Sequence, residues 1–213
     1  MKDELDLLKK DWKSQEGSLP KMSYDDIYAM IHKKSSSIVK WILIICIAEL
    51  IFWSFLNLLV PESALKIYEE FNIKTFLNIT QYLHYGVVLF FIYLFYKNYK
   101  SISVVENTNM LMRKIIKTRK TVNYYVYYNI LLYIILTVVV NIIMFSDTET
   151  LLKVMSPANL DIKNVTFINV LLIVQTISVL VVIGLLWLYY KLIYGILLKR
   201  LNKNYEELET LNI

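Results

Sequence analysis

Cysteine is nearly missing from this chain. Cys46 stands alone, which excludes an intrachain disulfide and any paired-cysteine metal or redox motif. It lies in an apolar run and reads as a small packed side chain. Glycine (4) and proline (3) are also scarce, leaving little material for the broken helices and re-entrant loops of many channels and transporters. Histidine occurs only twice and no acidic cluster accompanies it, so a metal centre is not expected. HExxH, P-loop, dinucleotide-binding glycine and GxSxG patterns are all missing. The residues therefore point away from an enzyme and from any cofactor. A cleaved leader is not expected either, because the first apolar stretch begins only near residue 38, behind a charged segment.

What the chain does have is hydrophobic length. Of its 213 residues 57% are hydrophobic, and four apolar runs stand out: Trp41–Val60, Phe76–Tyr96, Tyr124–Phe145 and Thr166–Tyr190. Each is long enough to cross a bilayer core of about 30 Å as a helix. The basic residues are unevenly placed around them. Eight precede the first run, seven lie between the second and third, and four follow the last. Only Lys66, Lys74, Lys153 and Lys163 fall in the other two connections. Cations stay on the cytoplasmic side of a membrane, so both ends and the middle connection are expected inside. The net charge of +5 reads as this anchoring, not as direct nucleic-acid binding.

The expected fold is an all-α membrane protein with four transmembrane helices and helical cytoplasmic extensions. Its divisions are a cytoplasmic segment 1–37, spans 38–60, 76–96, 124–145 and 166–194, periplasmic loops 61–75 and 146–165, a basic cytoplasmic hairpin 97–123, and a cytoplasmic tail 195–213. Bacterial inner membrane is the expected location, with the lipid bilayer itself as one partner.

Local signals sharpen the helices. Ser23 is a candidate N-cap with Asp26 in the capping-box position, and Met22 and Ile27 fit a hydrophobic staple. No Gly or Pro follows until Pro61, which predicts one helix from about Tyr24 to Val60. Pro61-Glu62 suits the start of a short helix, Glu149–Met155 is a second short candidate, and Asn107-Thr108-Asn109 is the expected hairpin joint. Leu198, Leu201, Tyr205 and Leu208 follow helical spacing in the tail. Tyrosines and tryptophans, including Tyr125, Tyr189, Tyr190 and Tyr194, collect at the expected inner boundary and read as an interfacial belt.

Glu49 is the sharpest chemical candidate, because a carboxyl in mid-span must be protonated, paired or hydrated. His84 is expected at a similar depth on the second span. Gln81 shares a face with His84, and Gln175 is the polar residue of the fourth span. Together they read as a hydrogen-bonded clasp between helices, or as a proton-responsive site. His32, beside Lys33 and Lys34, reads as solvated or headgroup-facing. For a soluble partner the best contacts are Leu5, Leu8, Trp12, Met22, Tyr24, Ile27 and Met30, all on the expected cytoplasmic side.

The stretch from Leu7-Leu8-Lys9-Lys10-Asp11-Trp12 through Leu19-Pro20-Lys21-Met22-Ser23-Tyr24-Asp25-Asp26-Ile27-Tyr28 to Lys33-Lys34-Ser35-Ser36-Ser37-Ile38-Val39-Lys40-Trp41 resembles small four-span membrane proteins of Bacteroidota. These are often encoded beside extracytoplasmic-function sigma factors. The resemblance implies a membrane-held anti-sigma-like regulator whose cytoplasmic partner is a sigma factor. The His/Cys zinc motif and the large periplasmic domain of better-known anti-sigma factors are not part of the pattern. The functional expectation is thus a regulatory or scaffolding protein. Its alternatives are a small transporter or channel subunit using Glu49 and His84, and an accessory subunit of a larger membrane complex.

Overall fold

Ser23 starts the first helix as its spacing predicts. Its hydroxyl accepts the Asp26 amide at 3.1 Å, and the Asp26 carboxylate accepts the Ser23 amide at 3.1 Å, completing a capping box. The structure is a computed structural model that describes Lys10 and residues 23–105, 107–155 and 164–211. In chain order the helices are α1 (Tyr24–Leu58), α2 (Glu62–Glu70), α3 (Lys74–Ser103), α4 (Thr108–Ser146), α5 (Thr148–Met155) and α6 (Asn164–Leu211). No strand occurs among the described residues. Helices α1, α3, α4 and α6 are each long and apolar enough to cross a membrane. At 1.5 Å per residue α1 is roughly 52 Å long and α6 roughly 72 Å.

The four long helices form a ring. Helix α1 packs on α3 and α6, α4 packs on the same two, and α1 faces α4 across the diagonal. Neighbours in the ring run antiparallel, as short connections demand. The joint between α3 and α4 falls where expected: Asn107 caps α4, its side-chain oxygen accepting the amides of Asn109 (2.9 Å) and Met110 (3.4 Å). Both expected short helices are present. Helix α2 ends in a left-handed Asn72 (φ 55°), with Asn72 N–H to Glu69 O at 2.9 Å and Ile73 N–H to Tyr68 O at 3.0 Å. These are the two bonds of a Schellman motif.

Burial is concentrated at the end of the ring that carries Ser23 and Leu211, hereafter the basic end. Ile31, Val39, Ile102, Leu111, Ile115, Leu201 and Leu208 form one core there. A second, adjoining core holds Ile42, Cys46, Val88, Phe95, Val122, Tyr125, Tyr190 and Tyr194. The buried residues repeat at alternating spacings of three and four: Leu111, Ile115, Thr118, Val122 and Tyr125 on α4, and Tyr190, Tyr194, the partly buried Leu197, Leu201, Asn204 and Leu208 on α6. That is a coiled-coil seam, and it runs beyond the tail spacing read from sequence. At the opposite end Phe71, Ile73 and Leu151 make a small cap that joins α2 and α5 to the long helices. Lys153 reaches Glu70 at 3.0 Å across it.

The apolar windows themselves are mostly exposed. In the most hydrophobic stretch of α4 and of α6 no residue is buried. Leu131, Val138, Ile173, Val174 and Leu180 all face outward. Lipid tails are as apolar as these side chains, so the windows need no protein cover in a membrane.

Several expectations change with the structure. His32 does not face headgroups: it is half-buried, and its Nε2 lies 2.7 Å from the Ile102 carbonyl. Tyr125, Tyr190 and Tyr194 are buried in the ring and are not part of an interfacial belt. Trp41, Tyr96, Tyr124, Tyr127 and Trp187 do stay exposed at that level. Asn204 bonds Ser35 at 3.0 Å and Tyr189 bonds Glu49 at 2.9 Å, which fixes the pairing of α6 with α1. This pairing places Trp41 level with Leu197 and Leu198, so the apolar part of α6 reaches about two turns past Tyr190. Lys191 lies within that extension, over the Trp187 ring at 4.4 Å. Leu5, Leu8, Trp12, Met22 and Pro157 lie outside the described residues.

Candidate functional site: a carboxyl held by tyrosines

Glu49 sits on the buried stripe of α1, in line with Ile31, Ser35, Val39, Ile42 and Cys46. That stripe turns its carboxyl into the ring at 5% exposure. Tyr125 of α4 donates its hydroxyl to Oε2 at 2.6 Å, and Tyr189 of α6 donates to Oε1 at 2.9 Å. Both carboxyl oxygens are thus satisfied by donors from two other helices. Tyr194, at 1% exposure, shares the cluster, and its hydroxyl has no hydrogen-bond partner among the described residues. Phe91 and Phe95 meet the Tyr125 ring edge-on at 5.4 and 5.7 Å and wall the group off.

His84 is not a partner of Glu49. The pairing of His32 with Ile102, extended along α1 and α3, does bring His84 to the level of Glu49, as the sequence suggests. Its ring turns instead to α4, where Nδ1 lies 3.3 Å from the Tyr128 hydroxyl and the two rings stack at 5.8 Å. Gln81 donates to Tyr85 on its own helix at 2.9 Å. Gln175 is further away. It lines a groove of about 380 Å³ between α4 and α6 together with Thr137, Asn141 and Thr176. The expected four-residue polar site therefore separates into three places.

Among the described residues no group of three or more His, Cys, Asp or Glu side chains converges on a point, so none can hold a metal ion in that way. Glu49 also has no cation within ion-pair distance among them. One carboxyl and a set of hydroxyls offer neither a nucleophile–base pair nor an oxyanion hole. What the arrangement can do is tie α1 to α4 and α6 at once, and hold or exchange one proton there.

Residues 25–213 match a family model described as "Domain of unknown function (DUF8845)". The chain belongs to that family. The match takes in the four long helices and both short ones, hence the whole tyrosine cluster. No curated protein and no solved structure matches the chain.

Among the sequence-derived docking residues, Tyr24 is exposed on its ring but ties its hydroxyl to Thr108 at 2.7 Å. Ile27 packs against the core of the basic end. Met30 stays exposed. The sequence reading missed Tyr125 and Tyr189 as partners of Glu49, and Tyr194 as their neighbour in the cluster. The signal was there for two of them: Tyr125 and Tyr194 fall on the heptad stripes of α4 and α6.

Proposed function

We propose that this chain is a non-enzymatic scaffold or regulator of the bacterial inner membrane that docks a soluble cytoplasmic protein on its basic end. The observation that carries the reading is the packed helical head beyond the apolar windows. The core from Ile31 to Leu208 lies there, and side-chain bonds close the tip: Tyr24 to Thr108, and Tyr28 to the Val105 carbonyl at 2.9 Å. A helix pair needs no such head merely to stay in a membrane. At the tip the exposed apolar residues Tyr24, Val104 and Met110 lie close together along the chain joint and offer contact area. Along the sequence, nineteen of the 23 basic residues precede the first apolar run, fall between the second and third, or follow the last, which supports a cytoplasmic placement with both ends inside. The resemblance of the first residues to anti-sigma-like proteins makes a sigma factor the partner to try first.

Orientation is tested by cysteine labelling. With Cys46 buried, a Lys117→Cys variant should react with an impermeant maleimide only after cells are opened, and a Lys66→Cys variant should react in intact spheroplasts. The reverse pattern sinks the placement. Docking is tested by pull-down from mild detergent, comparing wild type with Val104→Ser/Met110→Ser. These side chains are exposed, so the fold survives their loss. A discrete soluble partner should be retained by wild type and lost from the variant; equal retention rejects the tip as the contact.

A further inference from the structure

We infer that the groove between α1 and α6 at the basic end binds the phosphate-bearing headgroup of an anionic phospholipid. The groove encloses about 550 Å³, within the range of small-ligand sites. Four cations line it, Lys33 and Lys34 from α1 and Arg200 and Lys203 from α6, against one carboxylate, Glu207. Among the described residues the Glu207 carboxylate pairs with Lys203, at 3.8 Å. Lys33, Lys34, Arg200 and Lys203 are exposed, and all four line the same groove. Like charges converging on one concavity repel unless an anion enters, and phosphate is the anion that Arg and Lys recognise best.

Depth selects the source of that phosphate. Ser37, on the groove wall, lies four residues before Trp41, and by the α1–α6 pairing Arg200 is level with Ile38. The groove therefore opens about 5–12 Å below the ring of Trp41. This is where headgroups sit outside the hydrocarbon core, and long Lys and Arg stems reach toward that level. Ile38, between the lysines and Trp41, supplies apolar wall suited to the glycerol and upper acyl carbons, while Met30 closes the far end of the groove. Basic pockets between membrane helices on the cytoplasmic side bind such headgroups. The inference rests on the membrane-spanning part of the reading above and is independent of protein docking.

The test uses the full chain purified in mild detergent and native mass spectrometry with added phosphatidylglycerol or phosphatidylcholine. Wild type should retain phosphatidylglycerol preferentially. Lys34→Gln/Arg200→Gln/Lys203→Gln should reduce that retention about tenfold or more, given what each basic residue contributes near an anionic surface. Lys100→Gln/Arg113→Gln/Lys117→Gln removes equal charge from exposed sites on α3 and α4 and should retain it. Circular dichroism confirms that both triple variants are folded. Inorganic pyrophosphate at matched ionic strength should not displace the lipid. Equal lipid retention in the two variants overturns the site. Pyrophosphate binding without any phosphatidylglycerol preference overturns the lipid source. Release of the wild type from membranes by alkaline carbonate would instead sink the membrane reading itself.

Discussion

Tyr125→Phe is the most direct probe of the Glu49 cluster. It removes one oxygen and keeps the ring that Phe91 and Phe95 pack against. Interhelical hydrogen bonds inside membranes average about 0.6 kcal/mol and reach about 1.7. This one is short at 2.6 Å, and Tyr125 is 2% exposed, so the upper part of that range applies. A loss of about 1–2 kcal/mol is expected for Tyr125→Phe, and less for Tyr189→Phe, whose bond is longer and only part-buried. Glu49→Leu alone leaves two hydroxyl donors without their acceptor and costs about 1–3 kcal/mol from that source. Replacing all partners together should recover most of it, because matched apolar groups leave nothing unsatisfied. The assay is unfolding in mixed micelles with added SDS, read by tryptophan fluorescence, on wild type, Tyr125→Phe, Glu49→Leu and the double variant. The cycle should give a coupling of about 1–2 kcal/mol. A coupling below about 0.3 kcal/mol would mean that the two groups do not hold the helices together, and the clasp reasoning fails.

Leu201→Ala, in the fully buried core of the basic end, should cost about 2–5 kcal/mol, while Leu180→Ala, on the exposed apolar face of α6, should stay within about 0.5 in the same assay. Asn72→Val forces a β-branched side chain into left-handed backbone and should cost about 1–2 kcal/mol, whereas Asn72→Gly should be tolerated; thermal scans of the two variants check this. The Ser23 hydroxyl and amide hold the Asp26 carboxyl below its ordinary 3.8, so its contribution is present above that value and fades as pH falls through the lower folded-state value. The stability difference between wild type and Asp26→Asn should therefore be constant at neutral pH and close only in strong acid.

Much of the fold was legible because two simple signals survive in the sequence. Apolar length marks α1, α3, α4 and α6. Caps and breaks mark their ends, with Ser23 and Asn107 acting as read. The site was less legible for a directional reason. Glu49 and His84 do share a level along their helices, and linear distance along the chain shows that much. Which face each presents depends on rotation about the helix axis. The buried stripe of α1 decides it for Glu49, and the stack on Tyr128 shows the outcome for His84. Tyrosine adds a second ambiguity. An amphipathic ring suits a headgroup boundary and equally suits a buried carboxyl that needs a donor. Tyr124 stays exposed and Tyr125, the next residue and about 100° further around α4, is buried beside the carboxyl.

The core and the apolar windows follow different rules, and their overlap explains where the polar cluster sits. In water apolar side chains must be buried against protein, and heptad seams of that kind run through the basic end. In lipid burial gains little and no seam is required, and the windows of α4 and α6 bury none of their residues. Glu49, Tyr125, Tyr189 and Tyr194 lie where the seam enters the window. At that level hydrophobic packing is ceasing to hold the ring together, and a hydrogen bond has few competitors for its donors and acceptors. A carboxyl bridging three helices there extends the ordered head into the apolar layer. Beyond it the windows of α4 and α6 expose their faces, until the cap of Phe71, Ile73 and Leu151 rejoins the helices at the far end.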